Sequence, residues 1–161
     1  MGGLAFLRIR PLLDDDDVSA FSSGNDDSDA WLKGRAHRAM RDGTARAYIL
    51  PLSTGEICSY YTLSTHAVAR VGTLAGPLRR SAPNPIPCTL LGQLAVDERY
   101  QGESAGARLL QDAVRRAAAA SRIVASRALV VDPANEHAEG FYANFGFQRM
   151  ASDPRRMFVR L

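Results

Sequence analysis

The chain of 161 residues has the length of one domain with a single core, a formal net charge of +3 and 46% hydrophobic residues. It has no run of eighteen apolar residues, so no membrane span is predicted, and its N-terminus lacks the basic and apolar regions of a secretion signal. We therefore expect one cytoplasmic domain over residues 1–161.

The charges are unevenly distributed. Seven of the 17 acidic residues lie within residues 14–29, where no basic residue occurs, whereas residues 34–161 hold 17 arginines against ten acids. Two explanations stay open. The arginines reflect a GC-rich genome, or they form a basic surface for a phosphate-rich partner, since each neutralised phosphate releases counterions.

The first half of the chain shows strand, helix and hairpin patterns in turn. Its predicted elements are a strand over 4–9 ended by Pro11, an acidic turn or helix over 14–21, one helix over 28–42 capped by Ser28 and ended by Gly43, and strands over 46–50 and 57–65 joined at Thr54-Gly55.

The second half alternates strands and helices. It is predicted to hold a loop over 70–87, a strand over 89–96, a helix from 105 to about 125, a strand over 128–131, a helix over 136–145 capped by Asn135 and ended by Gly146, and closing strands at Phe147 and over 156–161. This alternation predicts an α/β (α+β) fold with one mixed sheet.

The cysteines and histidines give no reactive cluster. Cys58 and Cys88 lie in apolar, strand-like runs and are interpreted as small buried residues. His37, His66 and His137 are scattered, so neither a metal site nor a disulfide is predicted.

A loop with two glycines, Gly102 and Gly106, joins the strand over 89–96 to the next helix. The first N–H groups of a helix lack intrahelical partners and carry about half a positive charge, which favours an anion. The loop is therefore either a phosphate cradle or an ordinary tight turn. It is neither a Walker loop nor a dinucleotide fingerprint, because the Lys-Ser or Lys-Thr pair is missing and the glycine spacing differs.

Two ordered motifs resemble the GNAT superfamily of acyl-CoA-dependent N-acetyltransferases. The run QGESAG over 101–106 stands in the place of the acyl-CoA loop Gln/Arg-x-x-Gly-x-Gly/Ala. Residues 135–147 match the closing signature Asn-x-x-Ala with Phe-Tyr-x-x-x-Gly-Phe downstream. The resemblance implies a twisted mixed sheet with splayed central strands, flanked by helices.

Further motifs are similar to those of the GNAT toxins of bacterial type II toxin–antitoxin systems. They are FSSGN over 21–25, WL over 31–32, LRR over 78–80, PNPIP over 83–87 and LGQLAVD over 91–97. This resemblance implies an enzyme that uses acetyl-CoA and no metal to acetylate the α-amino group of aminoacyl-tRNA, which blocks translation. It also implies a homodimer, a ribbon-helix-helix antitoxin, and operator DNA contacted only through that antitoxin.

The same resemblance implies the acetyl-CoA contacts. The backbone of three strand residues is expected to pair with the pantetheine and to polarise the thioester carbonyl: Leu94, Ala95 and Val96. The pyrophosphate is expected to be held by the backbone amides of Gln101, Gly102, Glu103, Ser104, Ala105, Gly106 and Ala107. Asn135 is expected to contact the pantetheine, and Phe145 to line the CoA channel beside Phe141, a core residue.

Tyr142 is the predicted catalytic acid. A phenol with an ordinary pKa near 10 can protonate a leaving thiolate whose pKa is about 8.5. Without the resemblance, the pattern favours the alternative that Tyr142 is an amphipathic helix residue with its ring in the core and a wet hydroxyl. No base motif is obvious, which favours an α-amine of pKa near 7.7–8.0 over a lysine side chain as acceptor, although Glu98, Glu103 or a water chain could act as base.

Candidate tRNA contacts are the basic residues Lys33, Arg35, Arg38 and Arg41 of one helix, Arg79 and Arg80 of the long loop, and Gln93. For each arginine the alternative is a solvated surface side chain. Two residues depart from the family pattern: Ser104 replaces a glycine of the CoA loop, and Gln93 replaces an arginine that faces the tRNA acceptor end.

Three functions are open at this stage. The first is the aminoacyl-tRNA-acetylating toxin. The second is a GNAT enzyme that acts on a protein N-terminus or a small amine. The third is a degenerate acyl-CoA-binding protein that acts with its antitoxin as a repressor.

Overall fold

The computed structural model describes residues 6–69, 83–102 and 104–161. Its elements are β1 (Arg10–Pro11), α1 (Asp26–Gly34), α2 (Ala36–Asp42), β2 (Arg46–Pro51), β3 (Ile57–Val68), β4 (Ile86–Val96), a 3-10 turn (Glu98–Tyr100), α3 (Ala105–Ser121), β5 (Ala128–Val131), α4 (Glu136–Asn144), β6 (Gln148–Arg149) and β7 (Met157–Arg160). Arg79, Arg80, Glu103 and most of the predicted loop over 70–87 lie outside the described residues.

The strands form one seven-stranded sheet in the order β1-β2-β3-β4-β5-β7-β6. β4 and β5 pair in parallel, whereas the pairs β1–β2, β2–β3, β5–β7 and β6–β7 are antiparallel. The predicted mixed α/β sheet with flanking helices is therefore confirmed. The splay of the central strands stays a prediction.

The chain falls into two compact units, each with its own core. The first unit comprises Met1–Ser64 and Gln93–Ala113, and the second comprises Thr65–Gly92 and Val114–Leu161. The single domain over 1–161 remains an expectation.

The first strand is displaced from its predicted position. The paired residues are Arg10 and Pro11, opposite Ile49 and Tyr48 of β2, beyond the predicted end of the strand, and residues 4 and 5 of the predicted strand lie outside the described residues. Phe6 forms only an isolated bridge with Leu52. Pro11 does not end the strand because β1 lies at the edge of the sheet, where a residue without an N–H is tolerated.

The predicted helix over 28–42 is two helices. It is interrupted at Arg35, whose φ of −128° and ψ of −22° are not helical. The N-cap of α1 is Asn25, whose side chain accepts the N–H of Ser28 at 3.1 Å, so the capping role predicted for Ser28 is wrong. The helix begins after Asn25 and not after Ser28 because this start places three aspartates in the first turn, where their negative charge stabilises the helix dipole. The end of α2 at Gly43 is confirmed, with φ +74°.

The hairpin of β2 and β3 is confirmed and supports the core of the first unit. The ring of Tyr60 on β3 stacks on Trp31 of α1 at 6.1 Å and meets Phe21 edge-on at 5.5 Å. The buried residues Leu32, Ile49 and others complete this apolar cluster. The aromatic contacts thereby fix α1 against the sheet. Residues 14–21 form turns and not a helix.

The second unit matches its predicted elements with shifted ends. β4 begins at Ile86 rather than at residue 89, because Ile86 and Cys88 alternate into the apolar cluster around Phe158 despite the neighbouring prolines. α3 ends at Ser121, before the exposed β-branched pair Ile123 and Val124, which disfavours helix.

β3 extends to Val68, three residues beyond its predicted end, and the other ends shift by one or two residues. β6 begins at Gln148, just after Phe147, and β7 covers Met157–Arg160 within the predicted 156–161. α4 ends one residue before the predicted position, and its Asn135 cap is confirmed by an N–H from Ala138 at 2.9 Å.

Replacing the α1 cap tests the corrected helix start. We expect Asn25→Ala to lower the free energy of unfolding by about 1 kcal/mol, because the N–H of Ser28 loses its acceptor. Asn25→Ser keeps an acceptor oxygen and should recover most of that loss. Urea unfolding followed by circular dichroism measures both, and an unchanged midpoint for Asn25→Ala would contradict the assignment.

Candidate active site

The end of β4 is fixed by the buried carboxylate of Asp97, which is 1% exposed. One oxygen accepts the N–H of Ser22 at 3.1 Å, the other accepts the N–H of Arg99 at 3.0 Å, and the guanidinium of Arg99 bonds to both oxygens. Burial raises the pKa of Asp97, but the hydrogen bonds from Arg99 and Ser22 outweigh it and hold that pKa below its ordinary value. Asp97 is thus a charged anchor for the chain that leaves β4.

Gln101 braces the loop that follows. Its side-chain amide nitrogen donates to the carbonyls of Val96 and Ser23, both at 2.9 Å. The Gln101 side chain therefore joins the end of β4 to the segment before α1. Because its side-chain nitrogen is already bonded, Gln101 could contact an anion only through its backbone N–H.

The backbone that enters α3 has the geometry of an anion cradle. Gly102 has φ +84° with open space where a Cβ would stand, and Ser104 has φ +63°. The carbonyl of Ser104 accepts the N–H of Arg108 at 3.1 Å, which starts the helix. The first turn of α3 contains no acidic residue, so nothing there opposes an anion at the positive end of the helix dipole. The start of α3 is therefore the stretch on which the predicted pyrophosphate contact would depend.

The three β4 residues proposed for the pantetheine lie immediately before this anchor. Ala95 is buried in the cluster that contains Tyr60, and Val96 packs in the cluster that contains Tyr100 and Ala105, so their side chains point to opposite faces. Leu94 is half-buried. The Val96 carbonyl accepts the side-chain N–H of Gln101 at 2.9 Å.

In the second unit, α4 and the residues that follow it carry a row of aromatic rings. The ring centre of Phe141 lies 5.2 Å from those of Phe145 and Tyr142, and that of Tyr142 lies 5.3 Å from Phe147. Phe141 and Phe145 are half-buried, whereas Tyr142 is only 6% exposed. The rings of Phe141 and Phe147 fix the ring of Tyr142 between them.

The Tyr142 hydroxyl is available for chemistry. No residue in the described part of the chain hydrogen-bonds to it, and the only side-chain oxygen there that is sealed from solvent without a partner is Ser59 Oγ. The hydroxyl is therefore not engaged by another group of the described residues, in a side chain that is almost fully buried. Burial raises the pKa of Tyr142 above its ordinary value, so the phenol stays protonated at neutral pH.

The basic residues of α1 and α2 differ in their surroundings. Lys33 and Arg35 are exposed. Arg38 lies 3.5 Å from Asp42, and Arg41 lies 3.9 Å from Asp14, both as exposed ion pairs that contribute little to stability. The charges of Lys33 and Arg35 are therefore the less compensated of the four.

Gln93 is tied to α1. Its side-chain oxygen accepts the hydroxyl of Ser28 at 2.9 Å, and its backbone N–H donates to Thr62 Oγ1 at 2.9 Å. The structure thus brings Gln93 beside the helix that ends just after Lys33.

The cysteines, the possible metal ligands and the apolar segments form no further site in the described residues. Cys58 and Cys88 are buried, as predicted. Across residues 6–69, 83–102 and 104–161, no group of three or more His, Cys, Asp and Glu could hold a metal ion. No helix of this part of the chain is long and apolar enough to cross a membrane.

Sequence reasoning missed the anchoring residues Asp97, Ser28 and Asn25. In the sequence Asp97 is only the last residue of the motif LGQLAVD, although an aspartate directly after a buried strand and two positions before an arginine is typical of a turn-forming carboxylate. Asn25 was detectable from the three aspartates that follow it. The contact of Ser28 with Gln93 spans 65 positions and leaves no local signal.

The chain matches known proteins along most of its length. The model of the acetyltransferase (GNAT) family matches residues 8–147. The chain is also 34% identical over 150 residues to the tRNA-acetylating toxin of Mycobacterium tuberculosis (strain ATCC 25618 / H37Rv), which covers 93% of this chain and 89% of the relative.

Solved structures of the toxin AtaT share the fold. AtaT complexed with acetyl-methionyl-tRNAfMet has a TM-score of 0.87 at 30% identity, covering 95% of this chain and 94% of that one. A tyrosine-to-phenylalanine mutant of AtaT with the C-terminus of the antitoxin AtaR and acetyl-CoA gives 0.79 at 31%, covering 95% and 92%. The AtaT–AtaR complex bound to DNA gives 0.76 at 30%, covering 96% and 94%.

Ser104 provides a test of the cradle geometry. A side chain in the left-handed region is strained, so Ser104→Gly should raise the free energy of unfolding by about 0.5–1 kcal/mol. Ser104→Ala keeps the Cβ and should give no such gain. Urea unfolding of both variants measures this, and equal stabilities of the two would show that φ at this position is not under strain.

Proposed function

Because this chain belongs to the GNAT acetyltransferase family, we propose that it transfers the acetyl group of acetyl-CoA to the α-amino group of aminoacyl-tRNA. Such transfer removes charged tRNA from translation and makes the protein a toxin. The observation that carries the proposal is the buried ring of Tyr142 with its free, protonated hydroxyl, in a chain whose relatives are tRNA-acetylating toxins.

The first unit supplies the proposed cofactor contacts. Acetyl-CoA brings an activated thioester, and the chain has to bind and orient it. The backbone N–H groups of residues 101–107 hold the pyrophosphate at the start of α3, with Gly102 allowing close approach. The N–H groups of residues 94–96 pair with the pantetheine, and one of them polarises the thioester carbonyl.

In the second unit Tyr142 is the proposed general acid. When the amine attacks the carbonyl carbon, the C–S bond breaks and the sulfur leaves as a thiolate, which takes the proton of the Tyr142 hydroxyl. The Tyr142 hydroxyl carries its proton before the transfer, since even an ordinary phenol has a pKa near 10. Asn135, Phe141 and Phe145 of the same helix region are the proposed pantetheine and channel contacts.

The acceptor needs little help to react. An α-amine has an ordinary pKa near 7.7–8.0, so a large fraction is neutral at cellular pH, whereas a lysine side chain with a pKa near 10.4 is charged. The proposed acceptor is therefore an α-amine, with Glu98, Glu103 or water removing the proton that the new amide loses.

The proposed tRNA contacts are Lys33, Arg35, Arg38 and Arg41 of α1 and α2, together with Arg79, Arg80 and Gln93. The exposed charges of Lys33 and Arg35 support this assignment because each neutralised phosphate releases counterions.

The partners follow from the proposed activity. A relative, AtaT, is held by the C-terminus of its antitoxin AtaR and contacts DNA as an AtaT–AtaR complex. For this chain we propose a ribbon-helix-helix antitoxin, DNA contact only through it, a homodimer when free, and a cytoplasmic location, where charged tRNA is found.

The central experiment combines the purified protein with acetyl-CoA and bulk charged tRNA, with acetylated aminoacyl-adenosines identified by mass spectrometry. We expect Tyr142→Phe to lower kcat by about 100-fold or more, because the thiolate loses its proton donor, while the dissociation constant of acetyl-CoA is unchanged. The wild-type rate should rise with pH as the α-amine loses its proton. Between neutral pH and about pH 10, the ordinary pKa of a phenol, the rate should show no decrease caused by ionisation of Tyr142, because the pKa of Tyr142 is raised.

Tyr48→Phe is the matched control, since Tyr48 has no proposed role, and it should keep wild-type kcat. Equal rates for Tyr142→Phe and wild type would remove Tyr142 from the reaction. Absence of acetylated product with every charged tRNA would overturn the proposed function itself.

The tRNA surface has its own test. We expect Lys33→Ala and Arg35→Ala each to weaken tRNA binding and to reduce the slope of log affinity against log salt by about one, because each loses one phosphate contact. Arg38→Ala should have a smaller effect, since Asp42 already balances part of its charge. Arg122→Ala, an exposed arginine just after the end of α3, is the control, and an equal loss there would indicate binding without a defined surface.

A further inference from the structure

We propose that Ser28 is a positioning residue for acetyl transfer. Its hydroxyl fixes the side-chain amide of Gln93, so that the Gln93 NH2 group is presented as a neutral hydrogen-bond donor to the charged 3′ end of the tRNA. This inference rests on the proposed function and adds the group that orients the acceptor.

Gln93 is held at both ends. Its backbone N–H donates to Thr62 Oγ1 at 2.9 Å, and its side-chain Oε1 accepts from Ser28 Oγ at 2.9 Å. The residue is half-buried and directly precedes Leu94, the first of the β4 residues proposed to contact the cofactor. Because its oxygen is bonded to Ser28, the amide has its two N–H donors left for a ligand.

Ser28 is itself held rigidly. It is 7% exposed, its N–H donates to Asn25 Oδ1 at 3.1 Å, and its carbonyl accepts from the hydroxyl of Tyr60 at 2.6 Å. The ring of Tyr60 is stacked on Trp31 with 7° between the planes. The Ser28 hydroxyl is thus placed by the cap of α1 and by the sheet, and orienting Gln93 costs little further conformational entropy.

A fixed neutral donor has a distinct chemical use. It recognises an acceptor oxygen, such as the ester carbonyl or a ribose hydroxyl of the aminoacyl end, by direction rather than by charge. Its contribution is therefore insensitive to salt, unlike that of Lys33 or Arg35. Ser28 and Gln93 should act on the orientation of the acceptor and not on the overall attraction of tRNA.

A double-mutant cycle on acetyl transfer tests the coupling. We expect Ser28→Ala to lower kcat/KM for charged tRNA about 3- to 10-fold, the value of one hydrogen bond, and to have no further effect in a Gln93→Ala background. Gln93→Glu keeps the oxygen for Ser28 but replaces the donor NH2 by an anionic oxygen, and should lower kcat/KM at least as much as Gln93→Ala. Ser28→Thr keeps the hydroxyl and should recover activity.

Two readouts separate positioning from general damage to α1. The dissociation constant of acetyl-CoA and the salt slope of tRNA binding should stay at wild-type values in Ser28→Ala. Ser126→Ala is the matched control, because it removes a 2.9 Å hydroxyl contact with another β4 residue, Thr89, and should leave kcat/KM unchanged.

This inference would be overturned if Ser28→Ala lowered kcat/KM for charged tRNA by the same factor in the wild-type and Gln93→Ala backgrounds. Full activity of Gln93→Glu would also overturn it. The latter variant leaves α1 intact, so the test stands even if Ser28→Ala fails to fold. A wild-type protein that acetylates no charged tRNA would instead refute the proposed function.

Discussion

The carboxylate of Asp97 is withdrawn from water at the point where the chain leaves β4, and it is compensated there by Arg99 and by two backbone N–H groups. A buried charge is tolerated only when such partners are present, so the geometry around it is tightly determined. Ser22, in the segment that leads to α1, is bound to the same carboxylate, and its carbonyl accepts the N–H of Glu98 at 2.8 Å. One ion pair thereby fixes the exit of β4 relative to the entry of α1.

This constraint extends to both proposed functions of the first unit. Gln101 adds a second connection by bonding to Val96 and Ser23 together, so the backbone of the α3 entry is held against the segment that leads to α1. The proposed cofactor cradle and the helix with the proposed tRNA contacts are therefore parts of one rigid hydrogen-bonded structure. Strain at Ser104, φ +63°, is sustained because the surrounding loop is held in this way.

The second unit reaches its proposed function by apolar packing instead. Tyr142 is surrounded by Phe141 and Phe147, and burial of its ring in this row is what raises its pKa. The proposed binding residues and the proposed acid are therefore stabilised by different interactions. Charges and hydrogen bonds order the proposed binding residues in one unit, and a low-dielectric environment surrounds the proposed acid in the other.

Local sequence was sufficient for features set by short-range chemistry. Asn135 caps α4, Gly43 ends α2, the β2–β3 hairpin forms at Thr54-Gly55, and β5 is a short buried strand, because each depends on residues within a few positions. The motifs over 101–106 and 135–147 identified the family for the same reason.

The tertiary structure decided what depends on long-range contacts. The sequence could not place β1 at Arg10–Pro11, because tolerance of Pro11 follows from the edge position of that strand. It could not give Ser28 a partner 65 positions away or reveal Asp97 as a buried anchor, since neither contact leaves a periodic pattern. Residue order determined the elements and the family, whereas the orientation of Gln93 and the environment of Tyr142 arose only when packing removed water from the groups around them.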